Sequence, residues 1–387
     1  MQRVEQAWAG IDAGKTHHHI VVIDGEGRRL LSQRLANDEA ELSQFIEVAL
    51  NRADSLTWAI DLADGPAALM ITLLLEHGQR LLFLPGVAVN RASAAYRGEG
   101  KTDAKDAAII ADQARMRRDL RELQLEEEMI AELRLLTALR ADLAADRTRT
   151  INRLRGLLLS VFPALEAVLD FTNRGPLVLI SHVQTPDAIR ASGQQQLELW
   201  LRGRKIRAAG KLATTAVQAA AAQHTRIRGE SVAAALVSRL ADNILELDRQ
   251  LAELDKLISD RFRAHRNADI IASMVGIGDL LGAELLAATG GSLTGFASPN
   301  HLAGYAGLAP TPRDSGRRTG NLHRPRRYNR QLQRVFYTSA MISIQRSPAS
   351  RAFYDRKVRH EALDVRVEVR VLRRPVVAAA GLKLGAA

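Results

Sequence analysis

Two aspartates stand three residues apart where a loop turns into a helix, in the stretch RGEGKTDAKDAAIIADQ of residues 97–113. Residues at positions i and i+3 lie on one face of a helix, so the carboxylates of Asp103 and Asp106 could point at one place. Two hard oxygen ligands suit Mg²⁺, which keeps several waters and takes one or two carboxylates. A structural role stays open, because Asp is a favoured helix cap and Lys101 and Lys105 lie at ion-pair spacing.

Further carboxylates occur in the apolar segments that come earlier in the chain. Asp12 lies inside GIDAG, and Asp61 ends LTWAID, with Asp64 three residues later. A buried strand rarely carries an acid unless the acid is paired or binds a metal. In a mixed sheet these two positions can be neighbours, and a following helix can bring its first turn over them. Asp12, Asp61, Asp103 and Asp106 could then hold two Mg²⁺ ions about 4 Å apart, which supports in-line phosphodiester chemistry.

A second chemical candidate, Ser315, lies in an arginine-rich segment. Residues 313–334 read RDSGRRTGNLHRPRRYNRQLQR, with eight arginines and one acid, Asp314, and contribute +7 of the formal net charge of +11. Arginines without acids suit bidentate phosphate contacts. Ser315 fits a turn or a phosphate contact, or, if activated, a nucleophile that attacks phosphorus. The candidate nucleic-acid contacts are Lys101, Lys105, Arg313, Arg317, Arg318, Arg324, Arg326, Arg327 and Arg330.

The composition of the whole chain agrees with a polyanionic partner. The chain has 387 residues and a sequence pI near 10.4, which favours nucleic acid. It has no cysteine, which excludes disulfides and thiolate metal sites and suits a reducing compartment. No signal-peptide pattern opens the sequence, and no apolar run approaches the roughly 18 residues of a membrane helix. We therefore expect no membrane partner.

The elements that must position the acids are predicted within the first 95 residues. The pattern indicates the order β-β-β-α-β-α-β-α, with hairpins first and crossovers later, which predicts a mixed sheet. His17, His18 and His19 alternate between the faces of a strand and cannot all bind one metal, so we expect them to be edge-strand residues.

A helical spacer is predicted between the acids and Ser315. One long helix is expected from about Arg117 to Leu159 and a second over Glu230–Arg263, with an Ala-rich helical segment between them that is broken near NRGP and TPD. The second helix has apolar residues at spacings of three and four, which predicts a coiled coil within the chain or between chains. These residues are Leu236, Leu240, Ile244, Leu247, Leu251, Leu254 and Ile258.

The region after about Ala268 is predicted to consist of short helices separated by glycine turns. The sequence VGIG before a helix could offer backbone N–H groups to a phosphate, as helix-hairpin-helix modules do, or could be a tight turn between packed helices. The predicted domains are 1–118, 119–265 and 266–360, followed by a tail, 361–387, to which no role is assigned.

Asp12, Asp61, Asp103 and Asp106, with the phrase GEGKTDAKDA, resemble the DEDD transposases of insertion sequences, the insertion-sequence one-ten family. The resemblance covers about residues 5–355, including the spacer and GLAPTPRDSG. It implies α/β plus mainly α architecture: a ribonuclease-H-like (RuvC-like) catalytic domain, a coiled-coil spacer and a C-terminal domain with the catalytic serine at Ser315.

The resemblance also implies a DNA recombinase that works through a covalent phosphoserine–DNA intermediate. Mg²⁺, or Mn²⁺ in its place, is the implied cofactor, and double-stranded DNA of the element ends and target is the implied partner. Some family members are guided by a structured bridge RNA, and strand exchange between two duplexes implies a homodimer or tetramer. The implied location is the cytoplasm, in association with the nucleoid of a prokaryote. One departure is Asp61, where the family usually has Glu.

Two other functions are compatible with the same residues. A RuvC-like, structure-selective endonuclease of the junction-resolvase type would use the acids alone, although such enzymes need no serine-bearing domain. A non-enzymatic nucleic-acid-binding scaffold would keep the acids only for structural reasons. Activity measurements separate the three.

Overall fold

The computed structural model describes residues 3–96, 100, 102–124, 127–293, 295–316 and 319–360, with side chains described as far as residue 356. The chain forms two compact units, Met1–Glu126 and Glu127–Ala387. Apolar side chains form separate cores in each unit. The predicted tail, 361–387, lies outside the described residues.

The first unit is built on a mixed sheet, as the sequence predicted, but the sheet has six strands where the sequence pattern indicated five. Its strands are β1 (Val4–Ala13), β2 (His17–Asp24), β3 (Arg29–Ala36), β4 (Ala53–Ile60), β5 (Arg80–Phe83) and β6 (Arg121–Glu122). The spatial order is β3-β2-β1-β4-β5-β6. Strand β1 runs parallel to β4, and β4 runs parallel to β5, whereas the other neighbours are antiparallel.

Helices cover both faces of this sheet. Successive residues of a strand point to opposite faces, so Ala7, Ala9 and Ile11 of β1 pack in one core and Trp8 packs in the other. The first core is closed by α1 (Glu39–Leu50) and α2 (Ala68–Glu76), and the second by α3 (Gly86–Ser93) and α4 (Asp103–Met116). Helix α1 begins where the sequence places a cap, because the Asp38 carboxylate accepts hydrogen bonds from the N–H groups of Ala40 and Glu41.

The long helix predicted from Arg117 was wrong at its start. Helix α4 ends at Met116, residues Arg121–Glu122 form β6, and α5 begins only at Glu128. Strand β5 would otherwise leave one edge of the sheet unpaired, and the Leu123 N–H donates to the Leu81 carbonyl at 2.8 Å. The Arg80–Glu122 ion pair adds to this edge pairing. The pairing carries the sheet past the predicted boundary at residue 118.

The spacer is organised by two long antiparallel helices, α5 (Glu128–Val161) and α10 (Glu230–Arg263). Ion pairs join Arg140 to Asp255 and Arg147 to Asp248. The higher residue number on α5 pairs with the lower one on α10, as it must when two helices are antiparallel. Between them lie α6 (Pro163–Glu166), α7 (Arg174–His182), α8 (Pro186–Gly203) and α9 (Ala209–Ala221), which confirms the predicted breaks.

The predicted apolar seam of α10 faces inward along most of its length. Ile244, Leu254 and Ile258 are buried, whereas Leu236 is exposed. The two long helices therefore pair within the chain. A regular coiled coil, and pairing between chains, stay predictions.

The last part of the second unit is a small helical bundle. Its elements are α11 (Ala268–Ala272), α12 (Asp279–Thr289), α13 (Pro299–Tyr305), β7 (Thr311–Pro312), β8 (Leu322–His323), α14 (Arg330–Arg346) and α15 (Pro348–His360). Gly276 in VGIG has φ +85°, and a Cβ there would lie 2.3 Å from the Ser339 carbonyl oxygen of α14. Helix packing thus explains this glycine, and a helix-hairpin-helix phosphate site stays a prediction. No described helix is both long and apolar enough to cross a membrane.

Candidate active site

Asp12 and Asp61 lie on adjacent parallel strands near their carboxyl ends. The register pairs Ile11 with Ile60, which places the next residue of each strand side by side. The Ala13 N–H donates to Asp61 Oδ1 at 3.1 Å, and this bond fixes the Asp61 side chain against the end of β1. Sheet register, the property that the alternating sequence pattern specifies, therefore brings these two acids together.

Helix α4 brings Asp103 and Asp106 over the same face. Its backbone contacts β1 at Gly10, where a Cβ would lie 2.1 Å from the Ala107 carbonyl oxygen. Thr102 is the helix cap, and its hydroxyl accepts from the Lys105 N–H at 3.2 Å. Neither aspartate is needed as a cap, so the capping explanation considered from the sequence was wrong. Both carboxylates lie in the first helical turn, where the helix dipole favours negative charge.

Electrostatics link the acids of the strands to those of the helix. Burial raises the pKa of the half-buried Asp61 carboxyl, and the nearby Asp106 carboxylate raises it further, while the hydrogen bond from Ala13 opposes both. The Asp103 carboxylate acts on the neighbouring imidazole of His19 and raises its pKa, although burial lowers that pKa by more. The carboxylates of Asp61, at the end of β4, and Asp106, on α4, thus feel each other's charge.

The donor set fits a hard divalent cation by chemistry. All four groups are carboxylates, the hard oxygen ligands that Mg²⁺ prefers. Among the described residues, no three histidine, aspartate or glutamate side chains are arranged closely enough to enclose one ion. Of the other predicted residues, Asp64 is exposed, Lys105 is half-exposed on α4, and Lys101 lies outside the described residues.

A histidine and an arginine extend this row of acids across the sheet, which the sequence did not predict. Asp12 is paired with His19 of β2, and His19 is paired with Arg34 of β3. Paired residues of antiparallel strands share a face, so all three lie on the α4 side. Strand β2 lies between β1 and β3, so the expectation of edge-strand histidines was wrong. His18 is buried on the opposite face.

Ser315 is exposed in a short hairpin of the second unit. Strands β7 and β8 pair Thr311 with His323, and the Arg313 N–H donates to the Asn321 carbonyl at 2.8 Å. The Asn321 N–H in turn donates to Asp314 Oδ1 at 2.9 Å. The residue before the serine is therefore fixed to the far side of the loop.

Part of the arginine-rich segment is available for a ligand and part is structural. Arg313, Arg324, Arg326, Arg327 and Arg330 are exposed. Arg334 instead pairs with Glu284 of α12, a carboxylate that is 2% exposed. Arg317 and Arg318 lie outside the described residues. The sequence count of eight arginines thus overstates the charge that is free to contact a ligand.

Family models match both regions that carry the candidate residues. A model described as Transposase matches residues 9–163, which include the four acids. A second, described as Transposase IS116/IS110/IS902 family, matches residues 268–355, which include Ser315.

Several relatives match nearly the whole chain. The 42 kDa protein of insertion element IS900 from Mycobacterium paratuberculosis is 53% identical over 91% of this chain and 89% of that protein. The 44.8 kDa protein of IS116 from Streptomyces clavuligerus is 47% identical over 97% and 94%. A T. thermophilus RuvC, solved in complex with a Holliday junction substrate, overlaps 31% of this chain and all of that chain at 16% identity. Its TM-score of 0.25 is too low to establish a shared fold.

Proposed function

The chain belongs to the IS116/IS110/IS902 family of transposases, enzymes that act on DNA, and we propose that it cuts and exchanges DNA strands through a covalent phosphoserine intermediate. The observation that carries the proposal is that carboxylates from β1, the end of β4 and the first turn of α4 lie on one face of the sheet. In this proposal the first unit is ribonuclease-H-like (RuvC-like).

Asp12, Asp61, Asp103 and Asp106 would hold one or two Mg²⁺ ions, with Mn²⁺ as a substitute. When bound, such ions neutralise charge on the phosphate that reacts and help to activate the attacking oxygen. Asp61 stands where the resemblance to the family implies Glu, and its side chain is one methylene shorter. The hydrogen bond from the Ala13 N–H holds the Asp61 carboxylate close to the end of β1.

Ser315 would be the nucleophile. Its Oγ attacks phosphorus, the Oγ–P bond forms and the P–O bond to the adjoining nucleotide breaks, with a net transfer of the hydroxyl proton to the leaving oxygen. Attack by the hydroxyl of the exchanged strand reverses these changes, so rejoining needs no added energy source. The exposed Arg313, Arg324 and Arg326 would hold phosphates near the hairpin.

The finer partners follow from the family alone. A structured guide RNA would supply target choice, and a homodimer or tetramer would hold the two duplexes that exchange strands. RNase treatment tests the first statement, since the loss of activity should be reversed when RNA that co-purifies with the protein is added back. The mass of the protein–DNA complex in solution tests the second.

A denaturant-resistant protein–DNA adduct is the decisive measurement. Purified protein is incubated with element-end DNA, co-purifying RNA and Mg²⁺. Ser315→Ala should form no adduct, whereas Thr319→Ala, which removes a hydroxyl from the same exposed loop, should form it normally. Asp103→Asn should lose several kcal/mol of transition-state stabilisation, about 10³-fold in rate, whereas Asp64→Asn should not.

Each alternative predicts a different result. Nicked DNA without an adduct, still produced by Ser315→Ala, would replace the serine mechanism with a resolvase-like endonuclease. Binding without cleavage by the wild type, in the presence of RNA and metal, would support the scaffold.

A further inference from the structure

The spacer carries a cluster of basic side chains that the proposed chemistry does not use. Residues 201–211 read LRGRKIRAAGK, with five basic residues and no acid. The fold adds a sixth, because Arg174 at the start of α7 donates to the Arg204 carbonyl at 3.3 Å. The spacer basic patch is the exposed cluster in the loop between α8 and α9 and at the adjoining ends of α7 and α9. It consists of Arg174, Arg204, Lys205, Arg207 and Lys211; Arg202 is left out because it pairs with Glu198.

An aromatic side chain holds one arginine of the patch in place. The guanidinium carbon of Arg204 lies 3.6 Å from the centroid of the half-buried Trp200 ring. His182 stacks on the same indole at 4.2 Å, with 9° between the ring planes. A guanidinium already ordered against an aromatic face loses less entropy when it binds, and its edge stays free to donate to an anion.

The backbone of the patch is strained at a second basic residue. Lys205 has φ +61° and is the one non-glycine residue with positive φ in the part of the chain that the structure describes. A residue with a Cβ is disfavoured in this conformation, which glycine adopts freely. Local strain of this kind is typical of functional positions. The residue at this strained position is a lysine with an exposed side chain.

The charges of the patch are not compensated by acids. Arg202, in the same run, pairs with Glu198 at 2.5 Å, and Arg149 and Arg249 elsewhere in the spacer also have acidic partners. The charged groups of the five patch residues form no ion pair with a described carboxylate; the acid beside them, Glu198, lies against Gly210 and pairs with Arg202. Like charges gathered in this way repel one another, and a polyanion relieves the repulsion with release of its counterions.

We propose that the spacer basic patch binds the phosphate backbone of duplex DNA. The inference rests on the chain's being a DNA transposase, but on neither the metal nor Ser315. Duplex DNA fits better than an unpaired strand, because single-strand binding uses free aromatic faces for stacking. Trp200, the aromatic ring that Arg204 covers, is half-buried and already stacked against His182 and Arg204.

The salt dependence of binding tests this contact. The full-length variant Arg204→Gln/Lys205→Gly/Arg207→Gln removes three charges, and the glycine suits the φ of position 205. Binding to a duplex of about 30 base pairs is measured by anisotropy at several salt concentrations. Each phosphate contact contributes about 0.9 to the slope of log K against log salt, so we expect the slope to fall by about 2–3.

The matched control removes the same charge from spacer arginines that have acidic partners, as Arg149→Gln/Arg202→Gln/Arg249→Gln. Its slope should equal that of the wild type. If the slope fell equally in the patch variant and the control, the effect would be one of general charge and not of the patch. If the slope of the patch variant were unchanged, the proposed contact would be refuted. Weaker binding of a hairpin RNA, with duplex binding intact, would overturn the assignment to DNA. If the triple variant unfolds early, Lys205→Gly alone should still lower the slope by about 0.9.

This test is independent of catalysis. If the patch variant had a lower salt slope and the wild type formed no adduct, the serine mechanism would be refuted and the DNA contact of the patch supported. If the adduct formed normally and the salt slope of the patch variant were unchanged, the serine mechanism would be supported and the DNA contact of the patch refuted.

Discussion

The acids and the serine are positioned by very different amounts of structure. Asp12 and Asp61 are fixed by the register of central parallel strands, and α4 lies directly against the backbone of β1. Ser315 is exposed in a hairpin whose two strands are two residues long each. Groups on strands and helices are held more accurately than groups on loops.

The difference suggests a division of labour. A metal site requires its ligands in place before the ion arrives, so the sheet suits the carboxylates. A nucleophile that forms and breaks a bond to DNA can take its final position when the substrate binds, so an adaptable hairpin suits the serine. Substitutions that affect folding and catalysis separately test whether the acids and the serine differ in this way.

The largest effect is expected for Gly10→Ala. The new Cβ would lie 2.1 Å from the Ala107 carbonyl oxygen and 2.3 Å from the Ala111 nitrogen. Both are backbone atoms that cannot rotate away, so α4 must move. Overpacking of this kind should cost about 3 kcal/mol and displace Asp103 and Asp106. Thermal unfolding and Mg²⁺-dependent cleavage should both decline.

The control is Gly25→Ala in the turn between β2 and β3, where a Cβ meets nothing within 4 Å. It should leave both measurements unchanged. Cleavage at the wild-type rate by Gly10→Ala would contradict a rigid acidic site.

The next effect separates structure from binding within the arginine-rich segment. Burial raises the pKa of Glu284, and Arg334 opposes this rise. Arg334→Ala leaves the buried carboxylate without its partner, at a cost of about 2 kcal/mol once the half-exposed arginine is taken into account. Its melting temperature should fall. Arg330 lies one turn earlier on the same helix and is exposed. Arg330→Ala should keep the wild-type melting temperature and bind DNA more weakly. If Arg334→Ala melted at the same temperature as Arg330→Ala, a structural role for Arg334 would be refuted.

A smaller effect is expected in the serine hairpin. Asp314→Ala removes the acceptor of the Asn321 N–H, an exposed bond of about 1 kcal/mol. The single-turnover rate of adduct formation should fall roughly fivefold, with no change in thermal unfolding. Asp314→Asn keeps a side-chain oxygen and should retain most of the rate. A melting temperature that falls together with the rate would mean that the hairpin, like the sheet, is part of the fold.

Sequence patterns predicted the first unit well because its candidate metal ligands are acids at positions where the strand pattern predicts buried residues. Asp12 lies within the apolar second half of β1 and Asp61 directly follows the apolar end of β4, and the alternation of the strands specifies which residues share a face. The row from Asp12 through His19 to Arg34 was missed, because it depends on antiparallel register rather than on residues near in sequence. Strand β6 was missed because the free edge of β5 is visible only in the folded sheet.

The second unit was predicted less completely for related reasons. The bounds of α10 follow from its apolar spacing. The pairing of Arg334 with Glu284 joins residues fifty positions apart, and the assembly of the spacer basic patch depends on how α7 packs against the loop before α9. Charge runs can be counted from a sequence, whereas their compensation by acids cannot.

The smallest effect concerns the stability of the acidic site without metal. Burial and Asp106 raise the pKa of Asp61 above its unfolded value. Its contribution to folding is therefore fully present below the unfolded pKa, about 3.9, and is lost as the pH rises through the folded pKa. Asp61→Asn imitates the protonated form, so in EDTA at pH 7 it should melt slightly higher than the wild type, on the order of a few degrees at most.

The difference between Asp61→Asn and the wild type should depend on the conditions. The advantage of Asp61→Asn should shrink as the pH falls through the raised pKa of Asp61 and be absent below the unfolded pKa, because the wild-type carboxyl is then also protonated. Added Mg²⁺ should raise the melting temperature of the wild type more than that of the variant, since only the carboxylate retains a full ligand set. Asp64→Asn, exposed in solvent, should follow the wild type throughout. A lower melting temperature for Asp61→Asn at pH 7 in EDTA would show that the hydrogen bond from Ala13 outweighs burial, and that the sheet holds the carboxylate in place without needing a cation.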